Sequence, residues 1–405
     1  MLTQIAWRNL WRNKRRTILT ALTMGLGVAF CIWMASYMGG FMKVMRGATI
    51  DRNIGHIQVN HKDYPETQNP YDVVPKAKAL IDQLGQNSKI KTVAPRVQAY
   101  AMFAGDDDKA APGKLIGVDA GAEAKMTEFD QRIEEGAWLS AENQAVIGRE
   151  LADKTNIKVG GKLLVVGTAL DGSIANQVYP VVGIYSTGNV AVDGGAVLPL
   201  ATAQELLVLD GGVHEVVVVT NDFDRIENTK AELANQWGDL SIRSWSEIAP
   251  DLVQMEGMIS ATSLIMVGII MFLTGFMIIN TLLMSVYERT REFGLLISLG
   301  LQPPKIVQMI LLESGLLGLV SCVFGLALGW CAHLAMVYVG FPLEVEDGKG
   351  FVFNGVTLDP VVYGSLDPSA LVLPLLAVML TALVGGLWPA RRASRLDPVV
   401  ALAQE

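Results

Sequence analysis

Four long stretches of the chain carry no charged residue: those between Arg16 and Lys43, between Glu256 and Glu288, between Glu313 and Glu344, and between Asp367 and Arg391. A helix that crosses a bilayer needs roughly 20 apolar residues, whereas apolar runs of buried core helices are nearer to about 10–14. The pattern therefore predicts four transmembrane helices, over 17–43, 257–287, 305–340 and 368–390. The first follows basic residues, as a secretory signal does. Its apolar part, from Thr17 to Met42, is longer than the roughly 7–15 residues of a signal core and shows no clear small-x-small cleavage site, so it reads as a retained anchor. The second is long. Residues 257–287 would reach about 46 Å as a helix, against about 30 Å of hydrocarbon. No proline occurs from Asp251 to Leu301, so a stiff stalk should project beyond the bilayer.

Between the first two spans the periodicity changes. Residues 55–60 alternate as a strand does, 75–86 have helical character with Pro75 placed for a first turn, and 89–102 are strand-rich. Further strands are expected at 114–118, 145–148, 163–166, 178–185, 197–200, 216–220 and 241–244. Helices are expected from Arg149, over 201–209 and over 223–237, and the segment around Gly136 reads as a loop. The fold class is thus an α-helical membrane domain of four spans plus a large extracytoplasmic α+β domain, 44–256. That domain should have two subdomains, the middle one inserted into the first. Residues 341–367 form a second external loop.

At the start, Ile5, Trp7, Leu10 and Trp11 interleave with Arg8, Arg12, Lys14 and Arg15. At helical spacing this makes 1–16 an amphipathic helix lying among lipid headgroups, the alternative being a simple basic tag before the span.

Composition agrees with the spans: 51% of residues are hydrophobic, 18% are charged and the mean hydropathy is +0.36. Soluble chains usually carry about 25% charged residues. Charge also orients the spans. Arg8, Arg12, Lys14, Arg15, Arg16, Arg289, Arg291, Lys305, Arg391, Arg392 and Arg395 flank one set of span ends, which should be cytoplasmic along with both termini and the tail 391–405. The external segment 44–256 holds 19 Lys and Arg against 30 Asp and Glu, a net of −11. That excludes a nucleic-acid footprint, which needs a basic face. Cys31, Cys322 and Cys331 all fall within spans, so the external domain must fold without disulfides.

Chemistry of its own is not evident. Val159-Gly160-Gly161-Lys162-Leu163 lacks the first glycine and the hydroxyl of a phosphate-binding loop, and no G-x-S-x-G, H-E-x-x-H or C-x-x-C occurs. His56 and His61, five apart around a strand, should not share a metal. The chain is expected to be a non-catalytic subunit that holds no cofactor. After the second span, the segment 288–304 is charged at Glu288, Arg289, Arg291 and Glu292, then apolar on one side at Phe293, Leu296 and Ile297, until Leu301-Gln302-Pro303-Pro304 breaks it. It reads as a short helix tied to two spans and suited to docking a motor, or as an ordinary inside loop. In the third span Ser321, Gly325, Gly329 and His333 share a face at four-residue spacing. Small residues there allow close helix packing, and His333 at depth needs a polar partner.

The string Glu288-Arg289-Thr290-Arg291-Glu292-Phe293-Gly294-Leu295-Leu296-Ile297-Ser298-Leu299-Gly300 resembles the signature of the MacB/FtsX-type ABC transporter permeases. The start, from Trp7-Arg8-Asn9-Leu10-Trp11-Arg12, and the end, from Pro389-Ala390-Arg391-Arg392, resemble that family's termini. Gly55-His56-Ile57-Gln58-Val59, Val146-Ile147-Gly148-Arg149-Glu150 and Val159-Gly160-Gly161-Lys162-Leu163 are similar to the external domain of the lipoprotein-releasing, LolC/LolE-like branch. The resemblance implies a permease paired with a second copy or a paralogue. A separate cytoplasmic ATPase, which holds the ATP and Mg, would dock on Glu288, Arg289, Arg291, Glu292, Phe293, Gly294, Leu299 and Gly300. Its stroke would reach the external domain by mechanotransmission and release lipoproteins from the membrane to a periplasmic carrier. The family's carrier-binding subunit has a long hook, and the matching hairpin here, 167–177, is short. Alternatives on the same scaffold are efflux of peptides, toxins or drugs, and regulation of a cell-wall hydrolase.

Sidedness can be tested directly. In a background with Cys31, Cys322 and Cys331 replaced by serine, an impermeant thiol reagent applied from outside should label Asp107→Cys and miss Gln302→Cys. The reverse labelling would overturn the orientation.

Overall fold

The computed structural model describes residues 2–74, 77–105, 109–187, 190–343, 352–353, 356–357 and 361–396. The chain divides into two compact units: Val44–Gln254 with part of the segment after the third span, and the membrane helices with their connections.

The first unit is built on a ten-stranded sheet: β1 (Ile57–His61), β2 (Ile90–Ala104), β3 (Ala110–Val118), β4 (Ile133–Gly136), β5 (Ala145–Gly148), β6 (Lys162–Thr168), β7 (Ile174–Tyr185), β8 (Ala196–Pro199), β9 (Glu215–Thr220) and β10 (Leu240–Ser244). The order is β10-β1-β9-β2-β3-β8-β5-β7-β4, with β6 bridging β2 and β7. The two expected subdomains are the halves of this sheet. Strands β1, β9 and β10 come from the chain ends of the unit, and β3 to β8 come from the middle. The 15-residue β2 belongs to both, pairing with β9 over Ile90–Arg96 and with β3 over Arg96–Ala104. One buried cluster, including Ile57, Leu80, Val97, Phe103, Leu115 and Leu163, runs through both halves.

Several elements differ from expectation. Strand β4 stands where a loop was expected. Its Ile-Glu-Glu-Gly sequence is mostly exposed and is held by pairing with β7 at the sheet edge, which no alternation announces. A helix at Ala120–Thr127 was also unanticipated; the Asp119 side chain caps it by accepting from Ala122 N–H at 2.8 Å. The expected 223–237 helix is a 3-10 turn, Phe223–Arg225, followed by Ile226–Gln236. The helix expected from Pro75 is described from Ala77 to Gly85, with Pro75 itself outside the described residues. The β6–β7 hairpin is connected by residues 169–173 alone, with Gly172 at φ +80°. His56 is buried and bonded to Thr220, whereas His61 lies beside Asp63 and Asp72.

Entry into this unit is fastened by a buried cation. The π-helical turn Gly47–Ile54 ends at Gly55, where φ is +70° and an added Cβ would overlap Val217 Cγ1. Arg96 reaches back from β2 to donate to the Asn53 carbonyl at 2.8 Å. The same guanidinium pairs with Glu123 at 2.7 Å and Glu215 at 3.3 Å, and all three side chains are buried. Burial opposes its charge, but the two carboxylates outweigh burial and hold its pKa above the ordinary arginine value.

Among the described residues the membrane unit contains four helices long and apolar enough to cross a bilayer. The first is Lys14–Arg46, the second Pro250–Glu288, the third Pro303–Tyr338 and the fourth Val372–Ser394. The second starts at Pro250, before the expected 257, and its 39 residues reach about 58 Å. The expected single N-terminal helix is instead Leu2–Leu10, a turn at Trp11–Asn13, and the start of the first span. The linking helix is Thr290–Ser298, shorter than 288–304. The second span itself continues to Glu288, and Gly300, at φ +89°, ends the turn before Pro303 opens the next helix.

His214 supplies a pH dependence for the sheet unit. Its Nδ1 accepts from Gln98 N–H at 3.1 Å, its Nε2 bonds the Pro70 carbonyl at 2.9 Å, and burial holds its pKa below the ordinary histidine value. The unfolded chain therefore takes up this proton first as pH falls through about 6.5, and stability falls from there downward. Calorimetry of the purified chain should show Tm dropping between about pH 7 and 5.5, with a shallower slope in His214→Gln. Equal slopes would rule out His214 as the cause.

Candidate functional site: the basic end of the membrane helices

The second span leaves the apolar region at Val286 and Tyr287, and the linking helix then turns its apolar side inward. Phe293 is 1% exposed and packs with Val286, Ile306, Met309, Ile310, Ala390 and Ala393 from the second, third and fourth spans. Arg392 of the fourth span lies over the Tyr287 ring, 5.3 Å from its centroid. Apolar closure thus fixes the inner face of this helix to three spans.

A chain of charges fixes it further. Arg289 is buried at the break between the second span and the linking helix. Its Nη1 donates to Glu313 of the third span at 3.3 Å, and its Nε donates to Glu292 at 3.0 Å. The guanidinium lies over the Phe293 ring at 5.1 Å. Glu292 accepts in turn from Arg12 of the N-terminal turn at 2.6 Å, and Arg16 at the start of the first span makes a two-point pair with Glu288. Partial burial opposes the charge of Glu292, but hydrogen bonds from Arg289 and Arg12 prevail and hold its carboxyl below the usual carboxylate range. The Arg12–Glu292 pair is half exposed and the Arg16–Glu288 pair partly so, and solvent-accessible pairs contribute about 0–1 kcal/mol each. The Arg289–Glu313 pair is different: both side chains are only 7% exposed, so each is the other's compensation.

The expected docking residues therefore fall into two groups. Arg289, Phe293 and Gly294 are buried within the chain, and Glu288 and Glu292 are engaged in ion pairs. Arg291, Leu299 and Gly300 are exposed, and Leu295 joins them: Arg291, Leu295 and Leu299 are four apart on one outward face. Reversing Glu292 would break internal pairs, so it cannot isolate a docking contact. Sequence reasoning missed Arg12, Arg16 and Glu313 as partners. A lone carboxylate inside an apolar span was the available signal, since such a charge needs a counter-ion.

Deeper in the unit, Ser321, Gly325 and Gly329 line the approach of the third span to the first. Ser321 is fully buried, a Cβ on Gly325 would lie 2.6 Å from the Gly25 carbonyl oxygen, and one on Gly329 would lie 2.8 Å from Ile32 Cδ1. His333, one turn further on, bonds Ser36 of the first span at 2.8 Å. A second close contact joins the third and fourth spans, where a Cβ on Gly318 would sit 2.9 Å from Ala382 Cβ.

Residues 17–236 match the MacB-like periplasmic core domain, and residues 264–398 match the FtsX-like permease C-terminal domain. The chain is 25% identical to the pyoverdine export ATP-binding/permease protein PvdT of Pseudomonas syringae pv. tomato, over 99% of this chain and 59% of that protein. It thus spans about three fifths of PvdT's length. It is 23% identical to the lipoprotein-releasing system transmembrane protein LolC of Xylella fastidiosa, over 97% of each. The macrolide export ATP-binding/permease protein MacB of Rhodopirellula baltica is 24% identical, over 97% of this chain and 61% of that protein. The periplasmic region of MacB from Actinobacillus actinomycetemcomitans aligns with a TM-score of 0.39 at 13% identity, covering 52% of this chain and 97% of that one.

The buried pair yields a stability test. Arg289→Met should destabilise the chain by about 3–5 kcal/mol, because Glu313 is left buried and uncompensated. Arg289→Met/Glu313→Leu should regain most of that loss. Thermal unfolding in detergent measures both, and a double variant no more stable than the single would contradict the assignment.

Proposed function

Since the chain belongs to the MacB/FtsX-type family of ABC transporter permeases, we propose that it transmits the stroke of a cytoplasmic ATPase to its external domain. The observation that carries this reading is the two-sided linking helix. Its inner face is locked to three spans, while Leu295 and Leu299, 49% and 75% exposed, face outward beside Arg291. An apolar, cation-flanked face on a rigidly held helix suits a protein partner, and motion imposed on it passes to the spans it is bonded to. The second span, unbroken over 39 residues, is the lever, and mechanotransmission is the mechanism. ATP and Mg belong to the ATPase. The protein sits in the inner membrane with its basic span ends and both termini cytoplasmic and the domain at 44–256 periplasmic, and works beside a second copy or a paralogue.

For cargo, we favour lipoproteins released from the membrane. What supports this over export of a siderophore or a macrolide is the match to LolC along 97% of both chains, together with the similarity of the segments at 55–59 and 146–150. With only residues 169–173 joining β6 to β7, a periplasmic carrier is better received by a paralogous permease than by this one.

The docking face is tested by Leu295→Glu/Leu299→Glu, which leaves every ion pair described above in place. Co-purification of the ATPase should fall about tenfold or more, as for charge placed in an interface core, with insertion unchanged. Mass spectrometry of material bound to the intact complex should find acylated protein. Full ATPase recovery with the double variant would remove the docking assignment, and a purely small-molecule cargo would remove the lipoprotein reading.

A further inference from the structure

Five cations stand within the first 16 residues, and the fold sorts them into two sets. Arg12 and Arg16 are taken by Glu292 and Glu288. Arg8, Lys14 and Arg15 have no acidic partner among the described residues and are exposed or partly so. Two of these three, Arg8 and Lys14, share a groove of about 850 Å³ formed at the turn between the Leu2–Leu10 helix and the first span. Arg12 also reaches its wall, and the apolar part of the lining is Ile5, Trp7 and Trp11. The two indoles meet edge to face with centroids 5.8 Å apart, and Trp7 is 45% exposed.

We propose that this groove is a binding site for the headgroup of an anionic glycerophospholipid, its phosphate held by Arg8 and Lys14 and its glycerol and upper acyl region against Trp7 and Trp11. Depth, charge and apolar surface agree on this occupant. Lys14 is the first residue of the span, so the groove lies at the level where headgroups meet hydrocarbon. Indoles settle at that level because one edge is polar and the body apolar. Basic side chains next to a span draw anionic lipid from the adjoining leaflet. A soluble protein partner would leave the Ile5, Trp7 and Trp11 surface to be covered away from the bilayer, although it adjoins the start of a membrane helix. Arg12 gives the site a consequence. It lines the groove while its Nη1 holds Glu292, so a phosphate bound beside it competes with that carboxylate for the same guanidinium. Lipid charge would thereby adjust how tightly the N-terminal turn grips the linking helix.

The test uses the full chain in nanodiscs of phosphatidylcholine alone or with phosphatidylglycerol, with brominated forms of each lipid as quenchers of tryptophan emission. Quenching of the emission lost in Trp7→Phe/Trp11→Phe should be stronger with brominated phosphatidylglycerol than with brominated phosphatidylcholine. Arg8→Gln/Lys14→Gln should reduce that preference by about fivefold for each cation removed, while Arg15→Gln, which is off the groove wall, should keep most of it. Inorganic phosphate should not displace the lipid at concentrations that leave the bilayer intact. An unchanged preference in the double variant would overturn the proposal. So would displacement by inorganic phosphate, which would mark a free-anion site. Loss of ATPase binding by the double variant with lipid preference intact would also overturn it and mark a protein contact. Because the quenching is read without the ATPase, it succeeds or fails independently of the docking assignment.

Discussion

A charge that has left water must keep its counter-charge, and at the basic end of this bundle that requirement falls on Arg289 and Glu313. Each is nearly sealed from solvent, and the two come from different helices. Moving the linking helix away from the third span would leave the Glu313 carboxylate bare in an apolar surround, with Arg289 keeping only Glu292, which costs far more than an exposed ion pair returns. The linking helix and the third span therefore move together. Phe293, packed beneath the same guanidinium, adds apolar burial to the constraint. The solvent-accessible pairs of Arg12 and Arg16 are of another kind. They are cheap to break, so the N-terminal turn is a fitting that can be loosened without unfolding anything.

The glycine contacts impose the same logic on the bundle interior. Gly25 and Gly325 bring the first and third spans to backbone contact, and Gly318 does so for the third and fourth. In lipid, where apolar side chains gain nothing from meeting each other rather than acyl chains, such close approach and its dispersion energy are what hold helices together. The first, third and fourth spans share these contacts. The second span touches the fourth through Gly275 and Gly385 but leaves most of its apolar window uncovered by the chain. The second span is thus the one least covered by the rest of the chain.

The spans were legible because core helices of soluble folds rarely run about 20 residues without a charge, whereas a bilayer demands it. The strands with alternating or β-branched runs, such as Val216 to Thr220, were legible for a similar reason. What could not be read was decided by partners distant in sequence. Strand β4 exists because β7 offers it a free edge. The N-terminal helix breaks after Leu10, and Arg12 in the turn that follows has its partner 280 residues away. At the candidate site, charge and apolar residues in 288–300 pointed to a short helix, and one stands at Thr290–Ser298, but which of its faces is inside depended on Glu313 and on the fourth span. That dependence is why Glu292 looked like a surface contact and is a structural one, and why Leu295 went unnoticed.

The exposure of the second span also sets how the membrane itself enters the work. A helix of about 58 Å that is embraced by few protein side chains has its friction, tilt and resting position determined by its surroundings. Where acyl chains are those surroundings, any motion of this helix is damped by their viscosity, so under the function proposed above an organism that remodels its lipids on cooling also retunes the transmission. The rate would then be a property shared between a gene and a fatty-acid composition, with the protein supplying the stiffness and the bilayer supplying the drag.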